Sequence, residues 1–103
     1  ANSLMLPTVI DFNRFAAEER LATAAVALGA DPRASVQERA HACARLVDDL
    51  RGTCGLPRKL SQAGVKKEMI PRLVEKAVAD ACHQSNPRPC TAADFERLIK
   101  EAF

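Results

Sequence analysis

Met69-Ile70-Pro71-Arg72-Leu73-Val74-Glu75-Lys76-Ala77-Val78-Ala79-Asp80-Ala81-Cys82 holds the clearest periodicity in the chain. Met69, Ile70, Leu73, Val74, Ala77, Val78 and Ala81 step by three and one, the spacing that stacks side chains on one face of an α-helix. Pro71 falls near the start, where a missing N–H costs little. The spacing predicts a helix over 69–82 whose wide apolar stripe makes it central to the core. The chain then stiffens at Asn86-Pro87-Arg88-Pro89, where two prolines fix φ and restrict the residues before them. Thr91, with Asp94 at the third helical position, opens a last helix whose stripe is Phe95, Leu98, Ile99, Ala102 and Phe103.

Working back toward the start, Ser35 precedes Glu38 by three residues, the capping-box arrangement. It opens a helix whose stripe is Ala40, Cys43, Val47 and Leu50, closed by Gly55 and Pro57. Arg58 to Lys66 is a connector, with a helical turn at Leu60 to Ala63 ended by Gly64. An Ala-rich helix from Ala16 to Leu28 carries Glu18 and Glu19 at its positive end, Leu21, Ala25 and Leu28 as its stripe, and Gly29 as its stop. From Ser3 to Arg14, residues Met5, Leu6, Val9 and Ile10 recur at one-turn spacing. Pro7 interrupts them: either the helix bends there, or Pro7 occupies its first turn. β-branched residues are few and never alternate, so no strand is expected. The fold class is all-α: a single domain over 1–103, a bundle of about five helices joined by short loops.

Composition limits the functions open to such a domain. The formal charge is +2, from 15 Lys and Arg against 13 Asp and Glu that interleave along the chain. A nucleic-acid binder needs clustered cations; here the tightest clusters are the pairs Arg58-Lys59 and Lys66-Lys67. No run approaches ~18 apolar residues, so no spanning helix is expected, and no secretory signal is visible. The four cysteines, at 43, 54, 82 and 90, form no Cys-x-x-Cys pair. They read as reduced thiols of a cytoplasmic protein rather than a disulfide frame or a zinc site. A start at Ala1 and an end on apolar Phe103, within a helical pattern, suit a fragment or a processed product.

Catalytic constellations are scarce. Cys82-His83 are neighbours about 100° apart on a helix and do not face one another; the expectation is a buried Cys82 and an exposed or loop-facing His83. His41 and Cys43 point to nearly opposite sides, with His41 on the surface. Asp48-Asp49 and Glu18-Glu19 lie on solvated faces. The glycines at 29, 52, 55 and 64 are too scattered for a phosphate loop. Arg88 reads as a brace to a neighbouring element, and Asn86 as a turn former.

The order of short motifs adds a resemblance. Leu4-Met5-Leu6-Pro7-Thr8-Val9-Ile10-Asp11-Phe12-Asn13, Leu28-Gly29, Gly55-Leu56-Pro57 with Leu60, Gly64-Val65 with Ile70-Pro71, and Asp80-Ala81-Cys82 with Asn86-Pro87-Arg88 and Thr91 follow one another with familiar spacing. Together they resemble the C-terminal helical domain of iron-dependent (group III) alcohol dehydrogenases, over the whole chain. The resemblance implies one helix through Pro7, bent there. It implies a two-domain parent oxidoreductase in which an N-terminal domain binds NAD or NADP. A divalent metal, usually Fe2+, would sit in the interdomain cleft and polarise the alcohol or carbonyl oxygen.

In that family the metal ligands, an aspartate and three histidines, lie upstream of the region matching this chain. No catalytic, cofactor-binding or metal residue is therefore carried over, and no cofactor is expected here. Cys82 alone transfers, as a wall of the substrate pocket. The Asn86-Pro87-Arg88 run points to the alcohol dehydrogenase branch more than the maleylacetate reductase branch. The expected partner is the missing N-terminal nucleotide-binding domain, with a homodimer possible through an apolar patch around Met5 and Ile10. The rival is a stand-alone helical interaction module without enzymatic activity.

Overall fold

The apolar stripes all resolve into helices, and the way those helices line up sets the shape of the molecule. The computed structural model describes residues 2–103. Its α-helices are α1 (Asn2–Asn13), α2 (Glu18–Ala27), α3 (Val36–Thr53), α4 (Ile70–Ala79) and α5 (Ala92–Glu101), with 3-10 turns at Ser61–Ala63, Lys67–Met69 and Ala81–Ser85. No strand occurs among the described residues. The substantial contacts run α2 with α3, α3 with α1, α1 with α5 and α5 with α4. The helices therefore form a row, α2-α3-α1-α5-α4, and the molecule is a slab of 44 × 31 × 17 Å. Its shortest extent, 17 Å, is less than two helix diameters of about 10–12 Å each.

Local chemistry sets the helix ends. Ser35 Oγ accepts the Glu38 N–H at 3.1 Å. At α5 the capping box is reciprocal: Thr91 Oγ1 accepts the Asp94 N–H at 3.2 Å, and Asp94 Oδ2 accepts the Thr91 N–H at 3.0 Å. Gly29 (φ +107°) and Gly55 (φ +70°) sit just past α2 and α3 in the left-handed region. Each is followed by a 6→1 bond, Ala30 N–H to Ala25 O and Leu56 N–H to Arg51 O, the arrangement a glycine permits without Cβ strain.

The core is thin: Leu4 and Phe12 of α1, Ala22 and Ala25 of α2, Ala40 and Cys43 of α3, Ile70 of α4, Leu98 and Ile99 of α5, and Ala102 at its C-cap. Two expectations change. The helix expected over 69–82 ends at Ala79, because Asp80 takes extended backbone (ψ 129°) and its carboxylate caps the Cys82 N–H at 2.8 Å, starting a 3-10 turn. An aspartate side chain competes with the helical ladder in this way. Nor is α4 central. It is the last helix of the row, packs mainly on α5, and leaves Met69 46% and Val78 44% exposed.

The central helix is α1, and Pro7 lies inside it. Proline has no N–H for the carbonyl four residues earlier, Ser3 O. The guanidinium of Arg51 reaches that spot: Nη1 donates to Leu4 O at 2.7 Å and to Ser3 O at 3.4 Å, while Nη2 pairs with Asp48. Arg51 is thus buried, 8% exposed, and Leu50, expected in the stripe, is 54% exposed. The α3 stripe runs 40, 43, 47, 51, and its last place goes to a charged group because α1 offers it acceptors there.

Candidate functional site

A cleft of about 390 Å³ opens where the Ala81–Ser85 turn and the 86–90 segment meet α1 and α5. Val9, Phe12, Phe95 and Leu98 give it an apolar wall; Cys82, His83, Ser85, Asn86 and Cys90 give it polar groups. Proline geometry holds the 86–90 segment open, and a clasp fixes it to the end of α1. Asn13 Nδ2 donates to Asn86 Oδ1 at 2.8 Å, and Asn86 Nδ2 donates back to Asn13 Oδ1 at 2.7 Å. Arg88 Nη1 donates to Phe12 O at 3.1 Å, and its guanidinium lies 3.9 Å from the centroid of the Phe12 ring. Such stacking is favourable where the cation is partly desolvated. Arg88 is the brace its sequence context indicates.

Cys82 faces this cleft but is exposed, while His83 is half-buried. Cys82 departs from the burial expected of it, while His83 lies on a turn. The reason is the break at Asp80, which turns residues 81–85 off the α4 register. The His83 ring meets Phe95 edge-on, with centroids 5.3 Å apart at 76°, and its Nε2 lies 3.0 Å from Val78 O. His41 is exposed on α3 and pairs through Nδ1 with Arg14. Of the two acidic pairs, Glu18 and Glu19 occupy the first turn of α2, whereas Asp48 is drawn into the Arg51 pair.

Three of the thiols, Cys43, Cys82 and Cys90, are raised above their ordinary value. A hydrogen bond to the Asp80 carboxylate, and then its charge, push the Cys82 thiol up. Burial, and then Asp94, push Cys90 up, and burial raises Cys43. Asp80 shifts the other way, lowered first by the Cys82 N–H and then by the Cys82 side chain. A thiol above its ordinary value is a poor nucleophile at neutral pH.

Among the described residues no three His, Cys, Asp or Glu side chains converge as a metal site. These residues do not fit a catalytic iron. Sequence reading missed Asn13 and Phe95 as site residues. The signal for Asn13 was its place at the end of α1 after an aromatic residue, but its partner lies 73 positions away.

The Fe-containing alcohol dehydrogenase family, C-terminal, matches residues 1–103. The chain is 36% identical to the NAD-dependent methanol dehydrogenase of Bacillus methanolicus over 99% of its length, and 33% identical to the lactaldehyde reductase of Escherichia coli over 100%. It covers 27% of each relative. A solved 1,3-propanediol oxidoreductase superposes with a TM-score of 0.93 at 28% identity, over 99% of this chain and 27% of that one. An alcohol dehydrogenase from Oenococcus oeni gives 0.91 at 28% identity, over 98% of this chain and 27% of that one. The chain belongs to the Fe-containing alcohol dehydrogenase family and corresponds to its C-terminal domain. It spans about a quarter of the length of the relatives it matches.

Proposed function

We propose that this domain forms one wall of the substrate cleft in an NAD(P)-dependent, iron-containing alcohol dehydrogenase that interconverts a small alcohol and its aldehyde or ketone. The observation that carries this reading is the family match over residues 1–103 in a chain spanning 27% of its relatives. The metal and the nicotinamide would be held by an N-terminal domain, the partner of this one. The metal supplies the polarisation of the reacting oxygen and the nicotinamide the hydride.

The residues of this chain bind and exclude. Val9, Phe12, Phe95 and Leu98 offer apolar surface to a short hydrocarbon and keep water from it. Cys82 lines the same cleft, its proton retained by Asp80. The Asn13–Asn86 clasp and Arg88 hold the wall in place. Alone, the domain would be inactive. The exposed apolar side chains also suit a homodimer. Met5 and Ile10 are half-buried, so on this helix the exposed apolar contact would be offered by Leu6.

The test compares the 103-residue chain with a chain that also carries the N-terminal domain of its own reading frame. Elemental mass spectrometry and alcohol-dependent reduction of nicotinamide should both be positive only for the longer chain. One tightly bound metal in the short chain, or no turnover by the long one, would reject the reading. Analytical ultracentrifugation of the longer chain should show a dimer; a monomer at high concentration would remove the homodimer.

A further inference from the structure

The basic pair Arg58-Lys59 has no place in the cleft. It lines a separate groove of about 540 Å³ between α1, α3, the end of α5 and the segment that follows α3, and Arg45 lines the same groove from α3. Three carboxylates lie there too, and each already faces a guanidinium. Asp48 pairs with Arg51, Asp11 with Arg14 at 3.6 Å, and Glu101 with Arg97 at 3.8 Å. Arg45, Arg58 and Lys59 are exposed and have no carboxylate partner among the described residues.

Arg58 is the most firmly placed of the three. Its backbone N–H donates to Gln62 Oε1 at 3.0 Å. Its guanidinium lies against Gly52, one residue before the end of α3, where a Cβ would collide with it. A glycine inside a helix weakens it relative to alanine. Gly52 does not have the positive φ of Gly29, Gly55 and Gly64, so no turn requires it. What it provides is room for the guanidinium. That guanidinium donates no hydrogen bond among the described residues, so its planar fork is left open.

We propose that this groove binds a phosphoryl dianion, either free phosphate or a small phosphomonoester, with Arg58 as the bidentate anchor and Arg45 and Lys59 as supporting charges. A guanidinium fork matches phosphate oxygens in geometry, and an ammonium adds a point charge. The groove shares no residue with the cleft, and the proposal does not depend on the function argued above.

The experiment is a calorimetric titration of the complete enzyme with inorganic phosphate and with methyl phosphate, at a constant ionic strength set by sodium chloride. Saturable binding is expected. Tighter binding of methyl phosphate would assign the ester and the reverse the free ion; either supports the proposal. Arg58→Gln should weaken binding about threefold to tenfold, the range of a charge-assisted contact discounted for solvent screening. Gly52→Ala should weaken it as well by displacing Arg58, while the melting temperature holds or rises, which separates the effect from a loss of structure. Lys67→Gln removes the same charge outside the groove and should change nothing. No saturable binding of either anion overturns the proposal. So does a Gly52→Ala or Arg58→Gln enzyme that binds as tightly as the parent, or a Lys67→Gln enzyme that loses as much as Arg58→Gln.

Discussion

Two side chains that would ordinarily be liabilities, an arginine inside a core and a proline inside a helix, neutralise one another. Arg51 is 8% exposed and finds its acceptors where Pro7 fails to supply an N–H. Removing a buried charged partner costs about 3–5 kcal/mol. Arg51→Met should therefore destabilise strongly, because Asp48 and two carbonyls lose their donor. Pro7→Ala gives Ser3 O an N–H of its own, so the same arginine substitution should cost less in that background. A double-mutant cycle by urea denaturation should show coupling of at least ~1 kcal/mol. Additive effects would separate the two residues. Asp80 supplies a second prediction at this scale. Its carboxylate holds the proton on Cys82, so Asp80→Asn should lower the thiol toward its ordinary value. Alkylation of Cys82 at neutral pH, followed by peptide mass spectrometry, should then be faster than in the parent chain.

At the scale of elements, helix number, caps and stops were legible because they depend on neighbours in sequence. Ser35 with Glu38, Thr91 with Asp94, and Gly29 are local chemistry, and the structure uses each of them. What was not legible depends on distant partners. Nothing near Leu50 says that Arg51 will be the buried one, since the acceptors belong to α1. The α4 stripe looks central, yet its breadth cannot say that only α5 will cover it. The candidate site divides in the same way. Arg88 as a brace could be read from its two prolines. The exposure of Cys82 followed from how Asp80 redirects the chain.

The α5 capping box gives a pH prediction. The Thr91 backbone N–H, and then its side chain, hold Asp94 below the usual carboxylate range. A lowered group adds stability that is present above its unfolded value of about 3.9 and is lost as pH falls through the lower folded value. Melting temperatures recorded from pH 5 to pH 2 should therefore fall, and Asp94→Ala should flatten part of that decline. An unaltered acid limb would show that the cap contributes nothing to it.

The whole molecule is a single row of helices with a radius of gyration of 14.4 Å, larger than the ~13 Å expected for a compact domain of this length. Few side chains in a row can be covered on all sides, which is why the fully buried set is mostly Ala, Leu and Ile while Leu6, Leu50, Leu56, Met69 and Val78 stay exposed. A slab of this kind gains most from a surface laid across it, which is the physical basis of the partner proposed for it.

The clasp between Asn13 and Asn86 also dictates an order of events in time. Helices α2 and α3 are neighbours in sequence and can zip together early, whereas the amide pair must close a loop of 73 positions and so forms late. Contacts that form after the rate-limiting barrier govern how fast a protein comes apart, not how fast it assembles. Asn86→Ala should accordingly leave the refolding limb of a stopped-flow chevron where it is and accelerate the unfolding limb. The cleft wall would then be the last part of the domain to be built and the first to be lost.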